Sequence, residues 1–212
     1  MSSQPTTAPK RARARRGEGE KLREHILEAA EQLLIRTGDV EAVSIRAVAD
    51  AVGVTPPSIY MHFEHKNDLI FAVCEKHFQE FDEIIEAAGA VSDDPVESLM
   101  LRGRAYIHFG LDNPEQYRIL FMTKPALTPE RFQDVGMLQR MTAFEHLVDA
   151  VQRCVEAGAF RGDALELSLL LWAYAHGMTS LLITKPDFPW GDIDHLIDRA
   201  LSTAIAGLRS EP

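Results

Sequence analysis

Apolar residues return at intervals of three and four along almost the whole 212-residue chain, and β-branched residues never alternate over a strand-length window. A 3.6-residue period paints one apolar stripe on a helix, and such stripes must be buried against one another, so the chain is expected to be all-α with about nine helices. Leu22, Ile26, Ala30, Leu33 and Leu34 mark a first helix over 20–37 that Gly38 ends. Ser44 is a good N-cap, and Ile45, Val48, Ala49 and Val52 form a two-turn stripe that Gly53 stops. Thr55-Pro56-Pro57 then fixes the next start. Proline lacks an N–H that the first turn would leave unpaired anyway, and the residue before it is pushed to the extended geometry of an N-cap. The Thr55 hydroxyl is expected to cap the Ser58 N–H, with the helix running to about Phe63. Asn67 or Asp68 opens a long fourth helix, in which Phe71, Cys74, Phe78, Phe81 and Ile85 alternate spacings of three and four. Further helices are expected at about 95–111, 114–123, 129–157, 164–184 and 191–208, separated by proline and glycine punctuation.

Composition narrows the setting. Apolar residues make up 46% and charged residues 25%, values of an ordinary globular chain. Cys74 and Cys154 cannot build a disulfide framework and suit a reducing compartment. No uninterrupted apolar run approaches the roughly 18–20 residues of a membrane span, and the basic start has no apolar stretch behind it. A cytoplasmic protein without membrane contact is the expectation. The net charge is −10, but residues 1–75 carry only −1 of it and residues 76–212 the other −9. Lys10, Arg11, Arg13, Arg15 and Arg16 put five positive charges in seven residues, so 1–17 is expected to be a disordered basic arm able to lie along phosphates or enter a minor groove.

Residues 44–63 have the spacing of a helix-turn-helix: short helix, Gly53-Val54 turn, short helix. With Ile59 and Phe63 facing inward at i, i+4, the residues Ser58, Tyr60, Met61 and His62 lie on or beside the exposed face. Tyrosine and histidine can hydrogen-bond phosphates, proline and methionine can touch a thymine methyl, and serine and arginine can meet base edges. Arg46 adds a guanidinium, and Lys66 beside the start of the fourth helix makes a phosphate site. Elsewhere the chemistry is sparse. Cys74-x-x-His77 has no second ligand pair nearby, Ser168 and Ser180 have no nucleophile elbow, and Glu80, Asp82, Glu83 and Glu86 read as a solvated helix face. No catalytic residue, metal or cofactor is expected.

The segment SIRAVADAVGVTPPSIYMHFEHKNDLIFAV, with ILEAAEQLLIRTG before it, resembles the DNA-binding part of the TetR family of bacterial regulators over about 55 residues. That resemblance implies a nine-helix homodimer whose third helix enters the major groove, a dimer bundle from the eighth and ninth helices, and a ligand cavity between the fourth and eighth. By matching positions, Ser44, Thr55, Tyr60, His62 and Lys66 would hold phosphates, and Arg46, Pro57, Ser58 and Met61 would sit near base edges. Thr55-Pro56-Pro57 departs from the family's commoner Ser-Lys-Gly, so position 56 lacks a phosphate-binding lysine. Asn113-Pro114-Glu115-Gln116-Tyr117-Arg118-Ile119-Leu120-Phe121 and Trp172-x-x-x-His176-Gly177 resemble the two signatures of the WHG-type C-terminal domain. Trp172 and His176 are i, i+4 neighbours, favoured here as core rather than ligand groups, and Gly177 would let another backbone approach. Tyr106, Phe109, Tyr117, Phe121, Met122, Phe144, Leu147, Trp172 and His176 are the candidate pocket residues. The expected organisation is a DNA-binding head over 18–66 and a ligand-binding and dimerisation bundle over 67–212. The expected function is ligand-responsive regulation, most simply a repressor released from a near-palindromic operator by a small apolar or amphipathic effector. A helical-bundle enzyme and a protein-interaction adaptor are the alternatives.

Overall fold

The computed structural model describes residues 18–122 and 136–209, and the side chains of 136–141 fall outside that description, as does the basic arm. Nine α-helices and one π-helical segment occur among the described residues: α1 (Glu18–Thr37), α2 (Ile45–Val52), α3 (Pro56–Tyr60), α4 (Lys66–Gly89), α5 (Pro95–Asp112), α6 (Pro114–Tyr117), the π-helical Arg118–Met122, α7 (Gly136–Glu156), α8 (Ala164–Thr184) and α9 (Ile193–Ala206). The starts are set by side-chain caps. Ser44, Asp94, Asp163 and Asp192 accept the N–H three residues on at 2.8–3.1 Å, each worth about 0.5–2 kcal/mol. Gly53, at φ +76°, closes α2 in the left-handed geometry that glycine adopts without strain.

Four local expectations need correction. The Thr55 hydroxyl does not cap α3: it pairs with the Ser58 hydroxyl at 3.1 Å, while the Ser58 N–H donates to the Thr55 carbonyl at 2.8 Å. The helix ends at Tyr60, with Met61 and His62 in a turn that carries Phe63 into the core. Helix α4 starts at Lys66 behind the N-cap His65, whose N–H donates to Asp68 at 2.8 Å. The expected helix over 114–123 is one α-turn followed by π-helix, and most of the first turns expected from residue 129 lie outside the described residues.

Two packing centres share α4. Ile26, Leu34, Val48, Ile59 and Phe63 enclose the first together with Leu69, Ile70 and Val73 from the start of α4. Phe78 and Phe81 lie two and three turns further along the same helix and belong to the second, with Tyr106, Phe109, Tyr117 and Leu182. At 1.5 Å per residue α4 runs about 36 Å and joins the two. The π-helical segment joins them again: Ile119 packs into the first centre and Leu120 into the second. A third cluster, built on Leu99, Val151, Phe160 and Leu167, closes the far end.

Helix α8 is long and apolar enough by composition to cross a membrane, contrary to the expectation from the sequence, but it packs on α5, α7 and α9. Of the apolar residues in the last two helices, Leu167, Leu182, Ile197, Leu201 and Ile205 are buried within this chain. The large uncovered ones are Leu165, Leu169, Leu170, Trp172, Tyr174 and Leu181 on α8, with Phe188 and Ile193 beyond it.

Candidate nucleic-acid interface and ligand cavity

Burial of Ile59 and Phe63, as their i, i+4 spacing requires, turns the other side of α3 outward. Tyr60 is 53% and Met61 84% exposed, and Ser44, Arg46, Thr55 and Pro57 are exposed or half-exposed, with Ser58 and His62 beside them. Lys66 differs. Its Nζ donates to the Val40 carbonyl at 3.0 Å and to Glu41 at 3.2 Å, tying the start of α4 to the α1–α2 loop and leaving one of its three donors. Behind this face a polar strut fixes α1 to α4: Glu31 lies 3.3 Å from the buried His77 Nε2 and 3.7 Å from Lys76 Nζ. Cys74 is half-buried between the two cores, and His77 is flanked by Glu31 and Glu80, so the pair spaced like metal ligands serves packing and the strut.

A cavity of about 390 Å³ lies between α4, α5, α7, α8 and α9. Of the candidate pocket residues, Tyr106, Phe121, Phe144, Leu147 and Trp172 line it. Phe109, Tyr117 and His176 stand behind the wall, and Met122 is 40% exposed outside it. Sequence reasoning missed Phe78, Phe81, Asp82 and Ile85 from α4 and Arg102 from α5. In sequence the Phe78, Phe81, Ile85 stripe is indistinguishable from core, and the turn-by-turn repeat from Phe78 to Asp82 is the available signal. Asp82 and Glu86 are not on a freely solvated face. Asp82 lies 2.9 Å from His146 Nδ1, and Glu86 is ion-paired with the buried Arg102.

From the cavity wall inward, the Trp172, Tyr106, Tyr117 and His176 side chains form one hydrogen-bonded chain. The Trp172 indole donates to the Tyr106 hydroxyl at 3.2 Å, the two tyrosine hydroxyls are 2.9 Å apart, and the Tyr117 hydroxyl is 2.7 Å from His176 Nδ1. Indole is a donor only, so every buried proton finds an acceptor if Tyr106 donates to Tyr117 and Tyr117 to His176. Burial pushes Tyr117 up to about 12 and Tyr106 higher still, and holds His176 below its ordinary value, so each member stays neutral. Beside this hydrogen-bonded chain close packing demands a glycine at Gly110: a Cβ there would lie 3.0 Å from the Tyr117 ring and overlap the Thr179 methyl. No atom lies within 4 Å of where a Gly177 Cβ would stand, so the expected close approach does not occur within this chain.

Comparison with known proteins meets this geometry at both ends. The sequence profile of the bacterial regulatory proteins of the tetR family matches residues 26–73, and that of the tetracyclin repressor-like C-terminal domain matches 99–204. The chain is 31% identical over 195 residues to the HTH-type transcriptional regulator TtgR of Pseudomonas putida, covering 87% of this chain and 91% of that one. It is 25% identical to the HTH-type transcriptional activator FasR of Mycolicibacterium smegmatis, over 92% and 98% of the two chains. A putative tetR family transcription regulator from Shewanella sp. PV-4 shares the fold, with a TM-score of 0.74, 17% identity, and 90% and 99% coverage. With an exposed helix-turn-helix surface at one end and a cavity at the other, the chain belongs to the TetR family of DNA-binding transcriptional regulators.

Proposed function

We propose that residues 18–66 form a DNA-reading head, that 67–212 form an effector-binding and dimerisation bundle, and that an effector in the α4–α8 cavity releases the protein, acting as a repressor, from its operator. The observation that carries this reading is the double membership of α4, whose Leu69, Ile70 and Val73 belong to the head core while Phe78, Phe81, Asp82 and Ile85 line the cavity. A ligand that tilts α4 moves the head with it. To shift the equilibrium from mostly bound to mostly free it must favour the released state about 10⁴-fold, or about 5.5 kcal/mol.

On the DNA side, Ser44, Thr55, Tyr60, His62 and Lys66 hold phosphates, with Lys66 using its remaining donor. Arg46, Pro57, Ser58 and Met61 approach base edges. Two heads held by a homodimer meet successive major grooves of a near-palindromic double-stranded operator. The bundle's charge of −9 over 76–212 repels DNA from every face but the reading one and so orients the encounter in the cytoplasm. Tyr106, Phe121, Phe144, Leu147 and Trp172 contact the effector directly, with Phe109, Tyr117 and His176 supporting them from behind and Met122 at the outer edge. No residue of the site needs to act as a catalyst.

Selection of bound fragments from random DNA, followed by fluorescence anisotropy on the selected operator, tests this reading. Tyr60→Ala is expected to weaken all sequences by a similar factor, because a phosphate contact carries no base information. Arg46→Ala is expected to relax preference at one position, at a cost of about 1–3 kcal/mol. Unchanged affinity in both variants would remove α2 and α3 from the DNA.

A further inference from the structure

If the cavity is the effector site, as proposed above, its polar inventory narrows what can bind. Among the described residues, the polar side chains that border it are Asp82, Arg102, Tyr106 and Trp172. Arg102 is charge-paired with Glu86 through Nη1, and its guanidinium occupies the space that a Cβ on Gly89 would take, with the unpartnered Nε against the α4 backbone. The Trp172 N–H is committed to Tyr106, and with the Tyr106 hydroxyl donating to Tyr117, the arrangement that satisfies every proton, its oxygen is left an acceptor. Asp82 gives one of about four lone-pair sites to His146 and keeps the rest. With Arg102 and Glu86 balancing one another, Asp82 is the carboxylate in excess at the cavity, and it keeps acceptor capacity for a ligand.

The walls agree. Phe78, Phe81, Phe121, Phe144 and Trp172 present aromatic rings, whose electron-rich faces attract cations and resist anions. An anionic ligand that reached Arg102 would share it with Glu86 and stand beside Asp82, against an excess of negative charge. A metal ion fits less well, although ligand atoms of Asp82, Glu86 and His146 lie within 4.8 Å of one another, because Arg102 already neutralises Glu86. Two ligands then remain of the four that a closed site uses.

We infer that the effector is a hydrophobic monocation, a protonated amine whose ammonium group donates to Asp82 and whose apolar body lies among Phe78, Phe81, Phe121 and Phe144.

Three probes of one chain length and different charge, n-decylammonium, n-decanol and n-decanoate, decide it when titrated into the full-length protein. Emission of Trp172 follows binding, with Trp172→Phe, which retains Trp190, as the blank. Decylammonium is expected to bind at least about tenfold more tightly than decanoate. Asp82→Asn, which keeps an oxygen for His146, should erase that preference while decanol affinity stays within about twofold and reports an intact cavity. Glu83→Gln on the same helix controls for net charge and should keep the preference. Decanoate binding as tightly as decylammonium, or a preference that survives Asp82→Asn, overturns the cation and leaves the effector cavity standing. Failure of all three probes to bind overturns both.

Discussion

The only titrating member of the Trp172–Tyr106–Tyr117–His176 chain near neutrality is His176, because burial holds both tyrosines far into the alkaline range. Its Nδ1 accepts the Tyr117 proton and can do so only while the ring is neutral. Burial lowers the folded-state value, so the unfolded chain binds more protons near the ordinary imidazole value of about 6.5, and stability rises with pH there. The contribution is therefore complete above about pH 6.5 and is lost as pH falls through and below it. Thermal unfolding over that range should show the wild type losing stability on acidification more steeply than His176→Gln, whose amide oxygen accepts the same bond but does not titrate. Parallel slopes would show that protonation of His176 is not resisted by the fold. The pairing of Trp172 with His176 is legible from their i, i+4 spacing, but the hydrogen bonds of Tyr106 and Tyr117, which lie between them in the chain and come from other helices, leave no trace in local sequence.

Helix α4 and the π-helical Arg118–Met122 are the elements that connect the two ends, and they differ in how far the sequence announces them. The apolar stripe of α4 is plain, as are the caps of α2 and the burial of Ile59 and Phe63, because each follows from spacing within one element. The π-helix is not, since it resolves a conflict between partners distant in sequence: Ile119 must reach the head core while Leu120 and Phe121 face the cavity side, and one wide turn lets neighbours diverge. Asp82 and Glu86 escape a local reading for the same reason, because His146 and Arg102, which occupy that face, lie on α7 and α5. If the π-helix braces the head, Ile119→Ala should cost about 2–5 kcal/mol overall, as truncation of a buried isoleucine does. The added amide exchange should concentrate in α1, α2 and α3 rather than in α9, although residue 119 is far from all three in sequence. Exchange that accelerates mainly around Ile197 and Leu201 would show that Ile119 supports the bundle instead.

At the scale of the whole molecule, the proposed homodimer would use the uncovered face of α8, and the layout of that face suits a particular approach. Leu165, Leu169, Ala173, Gly177 and Leu181 recur every four residues along one stripe, with small residues at its centre and exposed leucines toward its ends. In the proposed dimer, the open space above Gly177 would let a partner backbone come close where the stripe is lowest. The consequence has opposite signs for the chain and for the pair. Within one chain a Cβ at 177 has open space, and Gly177→Leu replaces the poorest helix former short of proline, a gain of about 0.5–1 kcal/mol in helix propensity. Between chains the new side chain holds two helices apart along their line of contact. Sedimentation equilibrium should therefore give twice 23.7 kDa for the wild type and 23.7 kDa for Gly177→Leu, with helicity and unfolding temperature of the separated chains preserved or raised. Operator binding should weaken with the dimer, because a second head that is no longer tethered must find its half-site at bulk rather than at millimolar effective concentration. A variant that remains dimeric, or a wild type that sediments as a monomer at micromolar concentration, would place the pairing surface elsewhere and leave the exposed leucines of α8 without the partner that explains them.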